Sequence, residues 1–128
     1  MARPTVLVVE PEPEQALSTR KLVLETAKFN VLTAHSGREF IELVHRFPKV
    51  DCTIIHGQID DIPCEALLAE AKKTNPKVTT VFLAARLGER CKGADHVISS
   101  HHPEAVLDLL RKLFGDPRDP SPDPHHAR

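Results

Sequence analysis

Polar residues follow two apolar runs of this sequence, at the points where two strands are expected to end. The first run leads into Glu10-Pro11-Glu12, and the second run, over residues 52–55, leads into His56. Because the carboxyl ends of parallel strands meet at one crevice, Glu10, Glu12 and His56 are expected on a common rim. Carboxylates and an imidazole placed together can form a charged pair or supply ligands to a metal ion.

Two further histidines, His101 and His102, are expected at the same rim because they follow the last predicted strand. With Glu10 and His56 they form the ligand set that zinc, nickel or copper prefers. The alternative is a structural role, in which His56 pairs with Glu10 or Glu12 and its protonated ring stands in for a cation. A phosphohistidine at His56 is a third hypothesis, and it needs a partner kinase and oxyanion donors. The sequence contains no HxH or HxxxH spacing, which favours the structural role.

Short β-branched runs alternate with longer helical periods, which predicts a parallel sheet covered by helices on both faces. Strands are predicted over Thr5–Glu10, Asn30–Ala34, Asp51–His56, Val78–Ala84 and His96–Ser99. Helices are predicted over 13–27, 37–47, 63–74 and 103–114, and Ser36 is predicted to cap the second because Glu39 follows three residues later. Residues 86–92 contain Gly88 and little apolar periodicity, so the fourth crossover is expected to be short or irregular.

The stretch from Thr5 to Phe114 resembles the receiver domain of two-component response regulators. Its opening strand and the acidic residues after it look like the start of that family, and Gly93-Ala94-Asp95 matches the run before the family's fifth strand. The resemblance implies an α/β fold, a doubly wound, flavodoxin-like (βα)5 domain. Its five parallel strands are expected in the order 2-1-3-4-5, with a shortened or irregular fourth helix.

The positions that carry the chemistry of that family are changed in this chain. His56 stands where the family has its phosphoacceptor aspartate, and Ala84 and Ser100 replace a hydroxyl and an ammonium group. Phosphoryl transfer depends on cations that neutralise developing charge, and Mg²⁺ prefers oxygen ligands. The resemblance therefore implies a degenerate phosphoacceptor pocket that is not phosphorylated on aspartate. Its residues are Glu10, Pro11, Glu12, His56, Ala84 and Ser100.

The expected function is that of an atypical receiver-like signalling module in a two-component-type or derived pathway. We expect it to bind a protein partner or to form a homodimer through Val97, Val106, Leu110 and Arg111, because a short fourth helix leaves part of the sheet uncovered. The alternative is a small-ligand or transition-metal sensor that uses the His/Glu crevice. No paired nucleophile and base and no glycine-rich phosphate loop is visible, so neither an enzyme nor a bound cofactor is expected.

Length and composition limit the remaining choices. The 128 residues suit one domain over 1–116, followed by a proline-rich tail over 117–128 that is expected to be disordered. A formal net charge of -1 gives no overall attraction to nucleic acid or to a membrane surface. The odd number of cysteines, Cys52, Cys64 and Cys91, argues against a disulfide framework and for a reducing, cytoplasmic location.

Overall fold

The computed structural model of the chain describes residues 4–10, 28–99 and 103–115. The strands are β1 (Thr5–Val9), β2 (Asn30–Ala34), β3 (Cys52–His56), β4 (Thr79–Ala84) and β5 (His96–Ser99). The helices within the described ranges are α1 (Gly37–Arg46), α2 (Cys64–Thr74) and α3 (Pro103–Phe114). The helix predicted over 13–27 and the predicted tail over 117–128 lie outside the described residues.

The five strands form one parallel sheet in the order β2-β1-β3-β4-β5. The three central strands are mostly apolar because both of their faces are buried. The outer strands β2 and β5 are more exposed, which agrees with their weaker apolar pattern. The predicted fold class and strand order are confirmed.

Two hydrophobic clusters cover the two faces of the sheet, because successive side chains of a strand point to opposite faces. Leu7 and Val9 of β1 belong to the cluster under α1 and α2. Val6 and Val8 belong to the opposite cluster, which includes residues of α3. The domain is therefore a sheet between two helical layers.

The N-terminus of α1 begins at the predicted cap. The Ser36 hydroxyl accepts a hydrogen bond from the Glu39 N–H at 3.0 Å, and the Glu39 carboxylate accepts one from the His35 N–H at 2.7 Å. Asp61, from the loop before α2, accepts hydrogen bonds from the N–H groups of Gly37 and Arg38 at 2.7 and 3.0 Å. The free N–H groups of the first turn are thereby satisfied, and α1 is tied to the loop that follows β3.

The crossover between β4 and β5 contains no helix and is called the β4–β5 loop (residues 85–95). Its chain direction changes at Gly88 and Gly93, which adopt positive φ angles of 82° and 96° that favour glycine. The prediction of a shortened or irregular fourth helix is confirmed. Among the described residues, no helix covers β5 on the face of the sheet that α1 and α2 cover.

Candidate functional site

The sheet brings Glu10, His56 and Ala84 to one edge. Glu10 follows β1, while His56 and Ala84 are the last residues of β3 and β4. Val9 pairs with Ile55 in the sheet, so Glu10 and His56 occupy neighbouring positions at the carboxyl ends of adjacent strands. Both are buried, with 4% and 8% of their surface exposed. The remaining residues predicted for this rim, Pro11, Glu12, Ser100, His101 and His102, lie outside the described residues.

His56 is held in a tight turn by its own neighbours. Its Nδ1 atom accepts a hydrogen bond from the Gln58 N–H at 3.1 Å, and its carbonyl accepts one from the Ile59 N–H at 3.1 Å. Because a backbone N–H only donates, Nδ1 carries a lone pair and the ring proton is on Nε2. The hypothesis that a protonated His56 ring stands in for a cation stays a prediction. A pairing of His56 with Glu10 or Glu12 stays a prediction.

Glu89 is a residue of this site that the sequence did not single out. Its Oε1 atom accepts hydrogen bonds from the N–H groups of Ala85 and Arg86 at 2.7 and 3.3 Å. Its carboxylate also lies against Gly57, where an added Cβ atom would overlap it. Glu89 therefore spans from the end of β4 to the turn after His56. The sequence signal that could have pointed to this role is weak: Glu89 follows Ala85 by four residues in a short segment that contains glycine.

The C-terminal end of the β4–β5 loop is fixed by Asp95. The Asp95 carboxylate accepts hydrogen bonds from the N–H of Thr80 at 2.8 Å, from its hydroxyl at 3.1 Å and from the Lys72 ammonium at 3.0 Å. Burial by itself raises the pKa of Asp95, but the bonds from Thr80 and Lys72 outweigh it and hold the pKa below its usual value. Asp95, the last residue of the Gly93-Ala94-Asp95 run, thus joins the start of β5 to β4 and α2.

Two of the four residues predicted for an interaction surface are buried. Val106 and Leu110 of α3 are 1% and 0% exposed and pack against the sheet, so their prediction as surface residues is wrong. The apolar stripe of α3 is needed to cover the core, which leaves only the opposite side of the helix for contacts. Val97 is 49% exposed, and Arg111 is partly exposed.

The exposure of Val97 follows from the missing fourth helix. Val97 pairs with Phe82, whose side chain belongs to the cluster under α1 and α2, so Val97 lies on the same face of the sheet. The β4–β5 loop leaves a mostly apolar groove of about 430 Å³ on this face. The groove is lined by residues 84–90 together with Val97 and Ser99.

Cys64 and Cys91 form a disulfide, so the expectation against disulfides, drawn from the odd number of cysteines, is wrong for this pair. Cys64 is the first residue of α2, and Cys91 lies in the β4–β5 loop. The two positions are 27 residues apart, and the fold brings them together on the side of the sheet that α2 covers. Cys52 is the free cysteine of the chain and is buried in β3.

The predicted metal site at the crevice gains no support from the described residues. Within residues 4–10, 28–99 and 103–115, the group with three suitable ligand atoms in reach of one ion is Cys64, Glu65 and Cys91. Because His101 and His102 lie outside these ranges, a metal site that includes them stays a prediction. In the same ranges, no helix has the length and apolar character needed to cross a membrane.

Comparisons with known proteins identify the fold. No model of a known protein family matches the sequence, and no curated protein matches it. The response regulator TrrA of Thermotoga maritima, solved with Mg²⁺ and BeF, has a TM-score of 0.70 and 21% sequence identity over 87% of this chain and 99% of that chain. A CheY-like receiver domain protein of Methanospirillum hungatei has a TM-score of 0.73 and 19% identity over 88% of this chain and 94% of its own.

A third solved structure contains a protein complex. It is the P1 domain of CheA3 with CheY6 from R. sphaeroides, and it matches with a TM-score of 0.65 and 16% identity over 89% of this chain and 98% of that chain. Together these structures show that the chain has the fold of a response regulator receiver domain. The resemblance drawn from the sequence is confirmed at the level of the fold.

Proposed function

We propose that this chain is a receiver-like signalling module that is not phosphorylated on aspartate and acts by binding a protein. The observation that carries the proposal is the chemistry at the carboxyl edge of β3 and β4. An imidazole, that of His56, ends β3, and a methyl group, that of Ala84, ends β4. Neither side chain can form an acyl phosphate, and the Ala84 methyl offers no hydrogen bond to a phosphoryl oxygen.

The position of Glu89 supports the same conclusion. Backbone N–H groups at the end of a strand are donors that an incoming phosphoryl group could use. In this chain the Glu89 carboxylate accepts the hydrogen bonds of Ala85 and Arg86. A phosphoryl group would have to displace this carboxylate and approach a second buried acid, Glu10. Binding of an anion at this edge is therefore unfavourable.

A role in protein binding is supported by the groove beside β5. An apolar groove beside a half-exposed valine at a sheet edge is a common feature of interfaces. CheY6, in the complex with the P1 domain of CheA3, is a protein of this fold class solved with a protein partner. The proposed activity of the present chain is recognition, with no chemical reaction of its own.

The first test is direct phosphorylation. Incubation of the full chain with acetyl phosphate and Mg²⁺ should give no covalent mass gain by intact mass spectrometry, because the phosphoacceptor is replaced and Glu89 engages the nearby donors. A receiver domain with an intact phosphoacceptor aspartate, treated in parallel, is the positive control. A phosphoryl adduct that is stable enough to be mapped to any residue of this edge would refute the proposal.

A further inference from the structure

One covalent bond ties the β4–β5 loop to α2. The Cα atoms of Cys64 and Cys91 are 6.1 Å apart, a separation that a disulfide spans without backbone movement. Cys91 is 4% exposed and packs in the core, whereas Cys64 is partly exposed. We propose that Cys64 and Cys91 are a redox-active thiol–disulfide pair whose oxidation state determines whether the β4–β5 loop is fixed or released. This proposal does not depend on the proposed function.

The difference in exposure between the two cysteines indicates which one reacts first in thiol–disulfide exchange. Cys64 is the more exposed residue of the pair, while Cys91 is 4% exposed and belongs to the core cluster. Cys64 is also the first residue of α2, and a helix N-terminus favours the thiolate over the thiol. Cys64 is therefore the cysteine that reacts first with a small thiol or disulfide.

The third cysteine does not compete for this reaction. Cys52 is fully buried in β3, and burial, followed by the charges of Asp51 and Asp95, raises the pKa of its thiol to about 12. A thiol with so high a pKa, enclosed by the core, is inert to exchange at neutral pH. Oxidation of the folded chain consequently has one intramolecular product.

The middle of the β4–β5 loop depends on the disulfide for its position. Its first residues are held by Glu89, and its last residue, Asp95, is held by Thr80 and Lys72. Between these two anchors the Ala94 N–H donates to the Cys91 carbonyl, a bond within the loop. In the described part of the chain, the disulfide is the covalent tie between this segment and a helix. Its reduction removes the covalent tie between residues 90–94 and α2, and Arg90 of that segment lines the groove.

The redox step balances with a small disulfide of the glutathione type as oxidant. The Cys64 thiolate attacks one sulfur of that disulfide, which forms a mixed disulfide at Cys64 and expels one small thiolate. Cys91 then loses its proton and attacks the Cys64 sulfur, which forms the protein disulfide and expels the second small thiolate. The two expelled thiolates take up the two protons that the cysteines lose. Two protein thiols are oxidised by two electrons, and one small disulfide is reduced to two thiols.

The reduced pair has a competing use as a metal site. The sulfur atoms of Cys64 and Cys91 and a carboxylate oxygen of Glu65 lie within 4.8 Å of one another, and two thiolates with a carboxylate are acceptable ligands for zinc. The redox pair is favoured because the two sulfur atoms are already bonded to each other. Zinc binding is therefore one of the outcomes that the experiment must separate.

The experiment titrates the full chain in glutathione buffers of graded redox ratio. Alkylation of free thiols and intact mass spectrometry should show one two-electron transition, and peptide mapping should assign it to Cys64 and Cys91. Hydrogen exchange should be roughly tenfold faster across the β4–β5 loop in the reduced chain, while exchange in α1 stays unchanged. Cys64→Ser should abolish the transition and show fast loop exchange in either buffer, and Cys52→Ala is the matched control that should retain both responses.

Three results would overturn the proposal. The first is a pair that stays reduced, or stays oxidised, at every glutathione ratio. The second is an equal rate of hydrogen exchange across the β4–β5 loop in the oxidised and the reduced chain. This comparison uses the unmodified chain, so it can be made even when a variant fails to fold. The third is stoichiometric binding of zinc alone to the reduced chain that restores loop protection and is lost in Cys64→Ser, because the pair is then a metal site.

Discussion

At the end of β3 the His56 imidazole accepts the Gln58 N–H, and at the end of β4 the Glu89 carboxylate accepts the Ala85 N–H. Both backbone donors are thus engaged by side chains of the chain itself. In the receiver fold this edge of the sheet faces the crevice where ligands bind. Side chains of the chain itself therefore occupy these two donors, which agrees with the proposal that the chain is not phosphorylated on aspartate.

The burial of His56 leads to a prediction about charge at this position. His56→Asp places a carboxylate at a buried position next to the buried Glu10, so the free energy of unfolding at pH 7 should fall by about 2 kcal/mol. Urea unfolding measures the change. His56→Asn is the matched control, because its side-chain oxygen can accept the Gln58 N–H without adding a charge, and its loss should be smaller.

The pH dependence separates charge from shape in this pair of variants. Protonation of the new carboxyl group removes the repulsion, so the difference between His56→Asp and His56→Asn should shrink as the pH falls to about 4. Equal stability of the two variants at pH 7 would mean that position 56 tolerates a carboxylate and that a negative charge there has no energetic cost.

At the scale of elements, the β4–β5 loop is positioned by a few polar contacts at its ends. Asp95 connects the loop to β4 through Thr80 and to α2 through Lys72, whose ammonium also donates to the Val78 carbonyl at 3.1 Å. These contacts replace the packing that a crossover helix would provide. The start of β5 therefore depends on the charge of one carboxylate.

This dependence predicts a loss of stability in acid. The folded state holds the pKa of Asp95 below its unfolded value, so the contribution of Asp95 is present in full above the unfolded pKa and is lost as the pH falls through the folded pKa. Asp95→Asn should lower the free energy of unfolding at pH 7, because it removes the charge that Thr80 and Lys72 bind. The loss should be only about 1 kcal/mol, since solvent screens this exposed carboxylate. The difference from the unmodified chain should decline below about pH 4.

The control for this prediction is Asp108→Asn, which changes an exposed carboxylate on α3. Its urea unfolding should match that of the unmodified chain across the same pH range. If the free energy of unfolding of Asp95→Asn stayed below that of the unmodified chain by the same amount from pH 7 to pH 3, the Asp95 side chain would act through its shape and not through its charge.

The elements themselves were predictable because each has a strong local signal. The β5 and α3 bounds agree with the sequence prediction, and the Ser36 cap is where the spacing to Glu39 placed it. Contacts between distant segments have no such signal. The Cys64–Cys91 disulfide depends on the start of α2 and a loop that meet only in the folded chain, and the role of Glu89 depends on the course of an irregular loop. The apolar stripe of α3 was visible, but its pattern does not tell whether the core or a partner covers it.

For the molecule as a whole, the coverage of the sheet is uneven. The α1/α2 face is well covered over β1 and β3, but it is open over β5, where the groove lies. Leu87 at the tip of the β4–β5 loop is fully exposed, and Arg86 and Arg90 stand beside it in the groove wall. An apolar floor with basic side chains along one wall suits a protein surface that combines apolar and acidic groups.

This asymmetry predicts which surface substitution disrupts recognition. Val97→Asp places a charge in the apolar groove and should abolish both self-association in sedimentation and the capture of a partner from the source cell. Leu113→Asp is the matched control, because Leu113 is 40% exposed and Val97 is 49% exposed, while Leu113 lies on α3 away from the groove. Both variants should unfold within about 1 kcal/mol of the unmodified chain, because each side chain is already substantially exposed. The opposite outcome is that Val97→Asp and Leu113→Asp bind the partner alike while His56→Asn loses it. Recognition would then occur at the crevice, and the sensor alternative would replace the proposal of a docking groove.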